Sequence, residues 1–158
     1  GEPEPPFGGE TFASRVEIFT REDAKLRRTA VVQPLASRPD SHFGNEIALS
    51  ASGTHLVVGA YSDSGGGGGT NPDPCGSKLE IAGAAYLFTL EGATWKERAF
   101  LKARRVNQAA NFGRSVALDA LGATLVVGAP GDPSNASGID GDESDTSTPY
   151  AGATYVFR

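Results

Sequence analysis

Methionine is absent from the 158 residues and the chain opens at Gly1, which reads as a processed mature protein or a piece of a longer one. The single cysteine, Cys75, excludes an internal disulfide framework and any multi-cysteine metal site. In its loop of Gly and Pro it is expected as a free thiol or as half of an intermolecular disulfide. The only two histidines, His42 and His55, accompany no serine or cysteine motif of a nucleophilic site, so an enzyme is not expected. Positive charge is not in excess either. With 14 basic against 19 acidic residues, net −5, the chain has no basic surplus for nucleic acid or an anionic membrane. Apolar runs such as Leu56 to Ala60 fall far short of the roughly twenty residues of a membrane helix, so membrane insertion is not expected. Helical periodicity is missing as well, because Gly and Pro interrupt every long segment.

What the chain has is repetition at a fixed offset of 69 residues. Phe43-Gly44 recurs as Phe112-Gly113, and Leu56-Val57-Val58-Gly59-Ala60 recurs as Leu125-Val126-Val127-Gly128-Ala129. Ala82-Gly83-Ala84 with Tyr86 and Phe88 returns as Ala151-Gly152-Ala153 with Tyr155 and Phe157. The offset also runs backwards, from Phe88-Thr89 to Phe19-Thr20. A fixed period without insertions means one supersecondary unit that cannot bury its apolar face alone and stacks on its neighbours.

Within each unit the periodicity is that of strands. Residues 114–119 alternate, Ala120 to Ala123 supply a turn, and residues 124–129 form a continuous apolar run suited to a strand covered on both faces. Residues 153–158 alternate again, with Tyr155 and Phe157 on one face. The first full copy adds a fourth strand, giving 45–50, 55–60, 84–89 and 95–102, here called positions A to D. Residues 15–20 and 26–33 match C and D of a preceding unit. The expected fold is all-β, with four-stranded antiparallel β-propeller blades, about two of them here, in an incomplete ring. Four segments follow: 1–13, a partial loop of a preceding repeat; 14–34, a C–D hairpin; 43–103, a complete blade; and 112–158, a second blade without its last strand.

Phe43-Gly44 with Val58-Gly59-Ala60, and Phe112-Gly113 with Val127-Gly128-Ala129-Pro130, each followed by Gly-X-X-Tyr-X-Phe, resemble the FG-GAP repeat. That repeat builds the seven-bladed propeller of integrin α-subunit heads; the closer likeness is to the variant found in tandem in large bacterial extracellular proteins. The resemblance implies that Phe43, Gly44, Gly59, Ala60, Phe112, Gly113, Gly128, Ala129 and Pro130 form the structural motif, the Phe-Gly pair packing against the Gly-Ala-Pro turn. It also implies an extracellular or cell-surface location. The integrin-type repeat often carries a calcium loop between A and B, but Ser50 to Gly53 and Asp119 to Gly122 hold only one carboxylate, so that site is not carried over.

Asp132, Asp140, Asp142 and Asp145, with Glu143, crowd the loop between B and C of the second copy and are candidate ligands for Ca²⁺. Asn135-Ala136-Ser137 fits the N-glycosylation pattern at Asn135. Gly65 to Gly69 lacks the Lys-Ser/Thr ending of a phosphate loop and reads as a flexible linker. Trp95, Tyr86 and Tyr155 fit packing between blades better than a sugar-binding surface.

Propellers usually have four to eight blades, so these strands do not close a ring by themselves. The expectation is a non-catalytic extracellular structural or adhesion module acting through protein–protein contacts, completed by self-assembly into an oligomer or filament or by the rest of a longer chain, with copies of itself or further blades as partners. Residues Val16 to Val32 are expected to complete the last blade of another chain. The alternative is a carbohydrate-binding lectin formed by pooled blades.

Overall fold

A computed structural model of the chain describes residues 14–36, 38, 40–73 and 79–158. Cys75 and segment 1–13 lie outside the described residues. Nine strands and no helix are present among them: β1 (Val16–Glu22), β2 (Lys25–Val32), β3 (Ile47–Leu49), β4 (His55–Ala60), β5 (Ala84–Glu91), β6 (Thr94–Leu101), β7 (Ser115–Leu118), β8 (Leu125–Ala129) and β9 (Ala153–Phe157). No helix among the described residues is long and apolar enough to cross a membrane.

The strands form three antiparallel sheets in simple sequential order, β1-β2, β3-β4-β5-β6 and β7-β8-β9. Tight turns set the hairpins: Asp23 joins β1 to β2 at φ 54°, and its repeat mate Gly92 joins β5 to β6 at φ 61°. The bulge repeats too. Register shifts between Ile18 and Phe19 in β1, and between Leu87 and Phe88 at the matching place in β5.

The sheets stack, and β4 shows why its sequence is apolar throughout. Leu56, Val58 and Ala60 pack with Phe43, Tyr86, Phe88 and Phe100, and that cluster receives Val32, Val16 and Ile18 from the first sheet. Val57 points the other way, joining Ala85 and Leu101 in a second cluster with Phe112, Leu125, Val127 and Ala129 of the third sheet. β4 is thus covered on both faces, the condition for a continuous apolar strand. This is the architecture of neighbouring β-propeller blades in an open, unclosed array.

The hairpin Val16 to Val32 lies on the second sheet of its own chain. It carries strands at positions C and D, whereas β7-β8-β9 carry A, B and C. A second copy's hairpin placed on β9 would bring two C strands into one sheet.

Candidate functional site

Phe43 and Phe112 are each almost fully buried. Phe112 meets Tyr155 and Phe157 edge-on, with ring centroids 5.2 and 6.3 Å apart, and Phe43 meets Tyr86 and Phe88 at 5.4 and 6.1 Å. The following glycine closes the strand pair: Gly44 N donates to Gly59 O and Gly113 N to Gly128 O, both at 3.0 Å. The Phe-Gly pair also reaches across a blade boundary. Phe112 N donates to Ala82 O at 3.0 Å, and Gly83 and Phe112 form a parallel bridge. At φ +85°, Gly113 comes so near that a Cβ there would strike the Ala84 carbonyl oxygen. Pro130 is exposed just past β8.

A polar cluster lies beside each aromatic set. Asp63 is fully buried. Its Oδ1 accepts from Gly65 N (2.8 Å), and its Oδ2 accepts from the Tyr86 hydroxyl (2.9 Å). Arg38 Nη1 donates to both oxygens at 2.9 and 3.1 Å, and Lys102 Nζ lies 3.4 Å from Oδ1. A buried carboxylate is tolerated when it is paired and its lone pairs are used, and all these partners do that here. Burial lowers Lys102 to about 8, against the raising effect of Asp63. Burial, then the Asp63 charge, pushes the Tyr86 phenol far above its ordinary value.

The second copy repeats half of this arrangement. Asp132 is 1 % exposed, its Oδ1 accepts from Ser134 N (2.9 Å) and its Oδ2 from the Tyr155 hydroxyl (3.1 Å). Its carbonyl accepts from Gly152 N as that of Asp63 does from Gly83 N. No cation pairs with it among the described residues. Asn107 occupies the repeat position of Arg38, and its Nδ2 is buried without a hydrogen-bond partner.

The four aspartates read as calcium ligands are not brought to one centre. Asp132 faces Tyr155. Asp142 Oδ1 accepts from Ser144 N (2.8 Å), which holds its carboxyl below the ordinary value. Asp145 Oδ1 accepts from Ser147 N (2.9 Å) and Oδ2 from Asn135 Nδ2 (3.3 Å); Ser147 is the main cause of its lowered pKa. Asp140 is exposed in the left-handed region at φ 54°. Among the described residues no three His, Cys, Asp or Glu side chains gather as a metal site. This donor set does not fit Ca²⁺, which takes six to eight oxygens.

Asn135 is exposed, its amide N donating to Asp145 O. Tyr86 and Tyr155 point into the two cores, and Trp95 packs against the first. The glycine segment is not a loose linker along its length. Gly69 N donates to Ala103 O, Lys102 N donates to Gly69 O, and Asn71 N donates to Phe100 O. The residues that sequence reasoning missed are Arg38, Asp63 and Lys102. One signal was available: Asp63 and Tyr86 recur at the 69-residue offset as Asp132 and Tyr155.

In comparisons with known proteins, the family model described as the FG-GAP repeat matches residues 95–157, from β6 through β9. No curated protein matches the chain.

Proposed function

From an FG-GAP repeat set in stacked blades, we propose that this chain is a non-catalytic, extracellular adhesion or structural module that works by protein–protein contact, its blades continued by copies of itself or by further blades. FG-GAP repeats generally mediate protein interactions and are typically found in extracellular proteins. The observation that carries the reading is the state of the two end sheets. The first sheet exposes Phe19, Leu26 and Val31 and the third exposes Val156, while in the central sheet β4 is buried on both faces and the β3 edge exposes Ile47 and Leu49. Apolar side chains at both ends of a stack favour its extension.

The chemistry of the interior supports a non-catalytic role. The strongest charges, on Asp63, Arg38 and Lys102, are spent on one another. His42 stacks on Tyr61 with centroids 4.7 Å apart, and His55 Nδ1 lies 3.1 Å from the Thr54 hydroxyl oxygen.

Light scattering over a micromolar concentration series tests the self-association part. The expected result is a mass that grows with concentration and returns to that of a single chain in the double variant Phe19→Glu, Val156→Glu. A wild-type mass that stays monomeric throughout overturns it.

A further inference from the structure

A cleft runs between the first and second sheets, walled chiefly by the hairpin β1-β2 and the residues after it on one side and by the hairpin β5-β6 on the other. Three cavities follow one another along it. The first, about 460 Å³, has Thr20, Arg27 and Thr29 on one wall and Trp95 on the other. The second, about 380 Å³, shares Trp95 and reaches Glu97. The third, about 270 Å³, shares Glu97 and ends on Phe100. The walls are faces of paired hairpins rather than free strand edges, so side chains meet an occupant.

Those side chains combine a flat apolar surface with partners for hydroxyl groups. Trp95, the chain's one tryptophan, packs against the first core yet is only half-buried. Glu97 lies two residues on, on the same face of β6, and is half-buried as well. Its Oε2 accepts from Leu35 N (2.8 Å), and its Oε1 has no hydrogen bond among the described residues. Burial raises this carboxyl above its ordinary value, against the lowering effect of the Leu35 N–H. A carboxylate short of water gains strongly from a hydroxyl donor. Further along the cleft, the Thr20 and Thr29 hydroxyl oxygens lie 3.1 Å apart.

We propose that this cleft binds a neutral saccharide, one pyranose ring laid on the Trp95 indole with a hydroxyl donating to Glu97 Oε1 and a neighbouring unit reaching the Thr20 and Thr29 hydroxyls. A pyranose has an apolar C–H face and a rim of hydroxyls, which is the complement of an aromatic wall carrying a few placed polar groups. Charge selects the neutral class. An acidic sugar would set its carboxylate against Glu97, and Arg27, the basic group of the cleft, already faces Glu22 at 3.8 Å. This binding is an activity beside protein–protein contact and does not depend on it.

The test is an array of neutral and acidic oligosaccharides probed with the labelled 158-residue chain, followed by titration of a bound glycan while tryptophan emission is recorded. At least one neutral glycan should bind saturably and shift the emission, which comes from Trp95 alone. Glu97→Gln keeps an acceptor for Leu35 N and replaces the free oxygen by a donor, so it should weaken binding about tenfold or more. Binding of no neutral glycan, or binding that leaves Trp95 emission unchanged, overturns the proposal. Undiminished affinity in a folded Glu97→Gln variant overturns it too. The emission change is read on wild-type protein, so the result stands even where that variant does not fold. A chain that stays monomeric in light scattering and still binds a glycan would remove self-association and leave the cleft, and the opposite pair of results would remove only the cleft.

Discussion

Phe112 has no solvent exposure and touches two aromatic rings of its own blade while its backbone bridges to Gly83 of the preceding one. Truncating it opens a cavity on a blade boundary. Phe112→Ala should cost about 3–5 kcal/mol in urea denaturation; a loss below about 0.5 kcal/mol would rule out the packing role. The buried polar cluster sets a pH dependence. Unfolded lysine keeps its proton to about 10.5, whereas folded Lys102 gives it up near 8, so this group adds stability as pH climbs between those values. Tyr86 and Tyr155 act in the opposite sense. Their folded pKa values are raised, so their contribution is full below the ordinary 10 and is lost above it. The denaturation midpoint should rise from pH 8 to 10 and fall beyond, and Lys102→Met should abolish the rise. A wild-type midpoint that is flat or falling from pH 8 to 10 would contradict this. At this scale Phe43 and Phe112 were legible, since large apolar residues beside repeated glycines have few other uses. Arg38 and Lys102 were not. Charged residues are usually solvated, and these meet Asp63 across 25 and 39 residues of chain.

At the scale of elements, alternation and turn residues located every strand, and the repeat set their pairing order. The ends were harder to read: β3 runs Ile47–Leu49, shorter than the expected 45–50, and at its start Asn45 N donates to His42 O in a turn instead of across the ladder. The bulges at Ile18/Phe19 and Leu87/Phe88 had no signature in alternation alone, which cannot show two residues opposing one. Gly65 to Gly69 misled for a related reason. Glycine content signals freedom in an isolated chain and close approach in a packed one, and here Gly68 is so near that a Cβ would strike the Arg104 carbonyl oxygen.

For the whole molecule, stability is divided unequally among the three sheets. A stacked array is held by nearest-neighbour contacts, so a sheet with two neighbours outlasts a sheet with one. Native-state hydrogen exchange should find the amides of β4 and β5 the slowest, with β1, β2 and β9 exchanging faster. Equal protection in all three sheets would refute that order. The parallel bridge between Gly83 and Phe112 has a practical consequence for anyone moving these units between proteins. The repeat in sequence and the cohesive body in space are cut at different places. A graft of the central blade that stopped at residue 103 would leave behind the Phe-Gly pair that seals its outer side, so the transplantable piece runs from Phe43 through Gly113 and carries its neighbour's first two residues with it.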